Sequence, residues 1–131
     1  MTTIRTRIAA AALAGIALAG AASATPASAK DGDVRVAGTC NTGAKTKIKL
    51  APRDGRIEVE FEVDSNRNGQ RWSVRMRQNG VLVHNGSAVT GAPSGSFEVR
   101  KVLPNKAGTD QITAVGRNAA TGQVCTATAR I

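Results

Sequence analysis

The sequence predicts an all-β fold, a two-layer antiparallel sandwich of about seven short strands, and three observations predict it. From Lys45 onward apolar and polar residues alternate with a period of two, the pattern of strands with one buried face. Clusters of Pro, Gly, Asn and Asp fall between the alternating runs, where a chain must reverse. Across the same residues no stretch repeats with a helical period.

Residues 1–29 read as an export signal. Arg5 and Arg7 give a basic start, an Ala- and Leu-rich apolar run follows from Ile8, and Ala27-Ser28-Ala29 supplies small residues for cleavage. Residues 8–24 are dominated by Ala and Gly, weak and short for a bilayer span. Ala21 stands where a lipoprotein would carry its modified Cys, and Thr6 separates the two arginines, so neither lipidation nor a twin-arginine route is expected. The expectation is a secreted mature domain over residues 30–131.

The mature part opens on a mixed lead-in with a short strand at Val34, Arg35 and Val36. Ile48 and Leu50 then alternate with Lys47 and Lys49, and Ile57, Val59, Phe61 and Val63 with Glu58, Glu60 and Glu62. Trp72, Val74 and Met76 alternate with Arg71, Ser73, Arg75 and Arg77. Turns are expected at Pro52-Arg53-Asp54-Gly55, at residues 64–69 and at Asn79-Gly80. The last suits a two-residue type I′ hairpin, because both positions need positive φ. That register sets Met76 opposite Val83, Gln78 opposite Val81, Arg77 opposite Leu82 and Arg75 opposite His84. Later strands hold Phe97 and Val99 inward, then Ile112, Ala114 and Gly116, and the last covers residues 123–131.

Lys and Arg number 18 against 9 Asp and Glu, a formal +9. Without Arg5 and Arg7, 16 basic residues face nine acidic ones, leaving +7. Such a charge favours anionic surfaces and opposes self-association, so a monomer is expected. Outside a cell the candidate partners are anionic wall polymers, acidic proteins and membrane headgroups. Nucleic acid is disfavoured, because basic residues are not interleaved with aromatics. Cys40 and Cys125 are the two cysteines, and in an exported protein they read as one disulfide. It would close most of the mature chain into a loop, worth about 4–5 kcal/mol in the chain-entropy account. Metal binding or redox catalysis would want a CxxC spacing, which is absent.

These strands carry a resemblance. The run from Arg56 to Val63 resembles strand B of an immunoglobulin or fibronectin type III domain. Trp72 to Met76 with Asn79-Gly80 resembles strand C, its core Trp and the hairpin that follows, and residues 110–131 resemble the closing F–G hairpin. The chain is also similar to small secreted actinomycete proteins of unassigned function. The resemblance implies an immunoglobulin-like sandwich and no particular activity. It departs at the cysteines: Cys40 precedes the first sandwich strand and Cys125 lies in the last. The bridge would therefore pin the N-terminal segment to the final strand rather than join strands B and F.

Two readings of the charges follow. With immunoglobulin-like topology, the Glu row would lie beside Lys45, Lys47 and Lys49. The opposite sheet would then show Arg71, Arg75, Arg77 and Arg117, joined by Arg130 if the alternation carries through the last strand. In a simple meander the Glu and Arg strands pair directly, and the charges serve solubility. Asp64-Ser65-Asn66-Arg67-Asn68-Gly69 matches the opening of a calcium loop, but Arg75 stands where a bidentate Glu belongs and a plain turn explains the same letters. His84, the lone histidine, is expected exposed beside Arg75, and no G-x-S-x-G elbow occurs. The Glu row resembles paired carboxylates for glycoside hydrolysis only in spacing, since the adjacent Lys row argues against a cleft. Trp72, Phe61 and Phe97 are the whole aromatic set and take inward positions, which leaves no stacking platform.

The sequence therefore points to a secreted, disulfide-pinned, non-catalytic binding domain without cofactor, metal or small-molecule substrate. Arg71, Arg75, Arg77 and Arg117 are its candidate contacts to an anionic polymer or acidic protein. The alternative is a protein-interaction domain, such as an inhibitor of an extracellular enzyme, acting through residues 64–69 or 91–96.

Overall fold

Period-two strands and positive-φ turns build two stacked antiparallel sheets. The computed structural model describes residues 30 and 32–131, and the export signal expected at residues 1–29 lies outside the described residues. The strands are β1 (Val34–Ala37), β2 (Thr39–Cys40), β3 (Lys45–Arg53), β4 (Arg56–Asp64), β5 (Arg71–Gln78), β6 (Val81–Val89), β7 (Ser96–Pro104), β8 (Gln111–Asn118) and β9 (Gln123–Arg130). One sheet is ordered β1-β3-β4-β7 and the other β2-β9-β8-β5-β6. The expected all-β sandwich is observed, with more strands than expected because the lead-in divides into β1 and β2, one in each sheet. β4 and β5 belong to different sheets, so the meander does not hold.

Gly38 makes the lead-in's crossing between sheets possible. Its N–H donates to Thr46 O at 2.9 Å, and a Cβ there would lie 2.3 Å from Thr126 O and 2.8 Å from Ala127 Cβ. The Cys40–Cys125 disulfide follows at once, joining register partners of β2 and β9 with Cα atoms 4.1 Å apart. It pins the N-terminal segment to the last strand.

Asn79 and Gly80 adopt φ of 52° and 84°, as a type I′ turn requires. Gln78 faces Val81 and Arg77 faces Leu82, but a bulge then shifts the register. Met76 meets His84 rather than Val83, and Arg75 meets Asn85 rather than His84. The run Val81-Leu82-Val83 has no alternation to hold a register, and an edge strand tolerates an extra residue because its outer side pairs with nothing. The correction moves His84 from the outer face to the half-buried inner face of β6.

The core lies between the sheets. Ile48, Leu50, Ile57, Val59, Phe61 and Val63 face Trp72, Val74, Met76, Ile112 and Ala114, all fully buried. Phe97 bridges them, with ring centroids 6.0 Å from Trp72 and 6.3 Å from Phe61 in an edge-on arrangement. Small inward residues on β8 and β9 (Ala114, Gly116, Ala127, Ala129) make room for the larger side chains of β3 and β4.

Candidate functional site: an arginine-bearing sheet face

The two outer faces carry opposite kinds of charge pattern, and pairing order produces the difference. On the four-stranded sheet, Lys47 pairs with Glu62 and Lys49 with Glu60 in register. Their ion pairs span 3.7 and 3.8 Å. Arg100 of β7 adds Glu60 at 3.1 Å, Glu58 at 3.7 Å and a hydrogen bond to Glu98, which raises its already high pKa. Asp33 gathers Arg53 at 3.1 Å, Lys49 at 3.6 Å and Arg35 at 3.7 Å. The Arg53 hydrogen bond, assisted by these positive charges, holds the Asp33 carboxyl below its usual value. This face largely neutralises itself. Its glutamates sit in these ion pairs, and Glu60, Glu62 and Glu98 line a hollow of about 200 Å³ together with Arg35, Lys47 and Lys49.

The five-stranded sheet differs in kind: its strands contain five arginines and no Asp or Glu. Arg71, Arg75 and Arg77 project outward from β5, Arg117 from β8 and Arg130 from β9, all exposed. Alternation brings them to one face because their inward neighbours Trp72, Val74, Met76, Gly116 and Ala129 fill the core. Among the described residues none of the five takes part in an ion pair. Neutral groups hold their heads instead. Arg71 donates to Ser87 Oγ at 3.2 Å, Arg75 to Asn85 Oδ1 at 3.4 Å, Arg77 to Gly80 O at 3.3 Å and Arg130 to Gln111 Oε1 at 2.9 Å. A shallow hollow of about 240 Å³ lies among Ser73, Arg75, Arg77, Thr113, Val115 and Arg117. The four arginines singled out from sequence thus share one face, and Arg130 joins them. Chemically, such a face offers charge-assisted, fork-shaped donors to phosphate or carboxylate.

The other candidates fall elsewhere. In residues 64–69, Asp64 Oδ1 accepts from Asn66 N at 3.0 Å, and Ser65 Oγ donates to Arg67 O and Gly95 O, each at 3.2 Å. The loop's one carboxylate is therefore engaged in its own turn, and among the described residues no cluster of His, Cys, Asp and Glu could hold a metal ion. His84 lies over Gly86, with Nε2 3.0 Å from where a Cβ would sit. Burial lowers its pKa, and the charge of Lys101 on the facing β7 lowers it further.

Sequence reading missed a buried polar hub. Asp110 is fully buried and accepts from Lys30 Nζ at 2.6 Å, Lys106 N at 2.9 Å, Asn79 Nδ2 at 2.9 Å and Gln78 Nε2 at 3.1 Å. Burial pushes its pKa up, but these donors outweigh burial and hold it below the ordinary value. The hub ties residue 30 to the β5–β6 turn and to the loop before β8.

Fold and face together define a β-sandwich with one charge-neutralised and one purely cationic sheet. No protein-family model matches the chain. No curated protein matches it either.

Proposed function

We propose that the protein is a secreted, non-catalytic binding domain, monomeric, whose arginine-bearing face engages an anionic extracellular target. Arg71, Arg75, Arg77 and Arg117 are the contacts. One observation carries the reading: five strands with five arginines, none in an ion pair among the described residues, and no carboxylate. A face that served solubility alone would intersperse both signs, as the opposite sheet does. We also read the sandwich as fibronectin type III-like. Taking β3, β4 and β7 as A, B and E, and β9, β8, β5 and β6 as G, F, C and C′, the strand order agrees with that reading.

Co-sedimentation with purified bacterial cell walls tests the proposal. Wild-type protein should pellet at low salt and stay soluble at high salt, since exposed charges are screened beyond about 8–10 Å. A variant with Arg71, Arg75 and Arg77 changed to Glu should stay soluble in both. Failure of the wild type to pellet at low salt would remove the polymer target, and secreted acidic proteins would be tested next.

One observation favours a second reading, a protein-interaction domain such as an enzyme inhibitor. Residues 64–69 and 91–96 lock together: Gly95 O accepts from Ser65 N at 3.0 Å and from Ser65 Oγ at 3.2 Å. A rigid loop pair suits recognition of a folded partner. Binding insensitive to salt and lost on loop substitution would favour it.

A further inference from the structure

The arginines are placed at regular intervals as well as on one face. The register divides the outer face of the five-stranded sheet into successive rows, two residues apart along the strands. Arg71 stands with Val89 in the first row, and Arg117 stands with Ser73, Ser87 and Val124 in the second. Arg75 stands with Asn85, Val115 and Thr126 in the third, and Arg77 with Leu82 and Thr113 in the fourth. Arg130 pairs with Gln111 in the fifth. Each row has one arginine, and every other member is uncharged. Arg117 takes the row in which β5 carries Ser73, so no step is skipped. Rows two residues apart are about 7 Å apart, which makes a cationic ladder with that pitch. Four rungs lie on β5 and its neighbour β8. The fifth lies on β9, about 10 Å to the side of β5, with its head held toward β8 by Gln111.

From this spacing we infer that the ligand is a linear polyol-phosphate diester chain lying along β5, one phosphate to each row. The inference rests on the binding role proposed for this face. Consecutive phosphorus atoms joined through a three-carbon polyol are separated by six single bonds, which span about 7 Å when extended, the reach of two peptide residues. Each phosphate then meets a guanidinium fork, and no charge points away from the protein. Double-stranded DNA fits poorly, because it carries a charge about every 1.7 Å along its axis. Single-stranded nucleic acid comes nearer in pitch but draws much of its affinity from stacking on aromatics, and Trp72, Phe61 and Phe97 are all in the core. An acidic homopeptide matches the pitch only when fully extended, with half its carboxylates turned to the other side of the strand and away from the face.

Titration of the purified full chain with glycerol-phosphate diester oligomers of increasing length tests this. Affinity should climb with each phosphate up to four or five and then level off. The logarithmic salt slope should reach about −3, using the single-strand value of roughly 0.7 per phosphate contact. Arg75→Gln and Arg117→Gln should each weaken binding about three- to tenfold, whereas Arg56→Gln on the other sheet should leave it unchanged. Levelling at one or two phosphates overturns the row-by-row match. So does equal or tighter binding of oligodeoxyadenylate or oligoglutamate with the same number of charges. Provided the triple Glu variant loses that binding, the anionic-target role of the face survives either result. No binding of any of the three polyanions at low salt would overturn the role itself.

Discussion

Asp110 shows how one residue sets a local structure that its own sequence neighbourhood does not announce. It lies in a short loop, and its donors come from positions 30, 78, 79 and 106, so pairing could be recognised only once the strands were in place. Asp110→Asn should cost about 1–3 kcal/mol in chemical denaturation, because it strips the half-buried Lys30 ammonium of its counter-charge and disturbs a fully buried acceptor. The folded-state pKa lies below the ordinary 3.8, so the carboxylate's contribution is fully present above that value and fades as pH falls through the lower folded one. The Asn variant should lose less stability over that acid range. His84 acts in the same direction at higher pH. Its folded pKa is depressed from 6.5, so the unfolded chain takes up a proton first, and stability declines as pH falls below about 6.5. NMR titration of the His84 ring should give a value under 6.5 that rises toward it in Lys101→Gln. A value at or above 6.5 in the wild type would contradict the buried inner-face placement. Gly38→Ala should be among the most damaging single changes, since its Cβ would meet backbone and core from two strands.

Among the elements, the strands that alternate strictly were legible in the sequence, and those that do not were only partly so. β4 and β5 follow the period of two over their whole length, and their inward residues are the ones expected. β6 begins with three apolar residues in a row, so alternation could not reveal the bulge that carries His84 inward. The edges β6 and β7 are guarded by that bulge and by half-buried Lys101 on the inner side of β7, both of which discourage pairing with another chain. At the far edge, two-residue β2 is too short to hold itself, and the disulfide takes that task. Replacing Cys40 and Cys125 with Ser should lower stability by about 3–5 kcal/mol in urea unfolding, while the Arg face stays intact. In native-state hydrogen exchange the variant should lose protection first in β1 and β2. Loss beginning in β5 or β8 would mean that the bridge supports the centre of the sheet instead.

Across the whole molecule, chain order becomes charge order. The Glu-rich β4 and the Arg-rich β5 are consecutive in sequence, and placing them in opposite sheets is what separates a neutralised face from a cationic one. The residues of both faces could be read from the sequence, but their separation could not, because the same alternation fits a meander in which Glu faces Arg. Pairing order depends on long-range packing, here Trp72 meeting Phe97 across the sandwich while Phe97 stands edge-on to Phe61 in its own sheet. The ladder follows from the same pairing, since Arg117 reaches its row only when β8 lies beside β5. The most direct test is an NMR titration that follows the arginine Nε–Hε signals and the backbone amides as an anionic wall polymer is added at low salt. The predicted shifts concentrate at Arg71, Arg75, Arg77 and Arg117, with β3 and β4 silent, and they revert with added salt. Shifts confined to residues 64–69 and 91–96, with the arginine signals unmoved, would contradict the account.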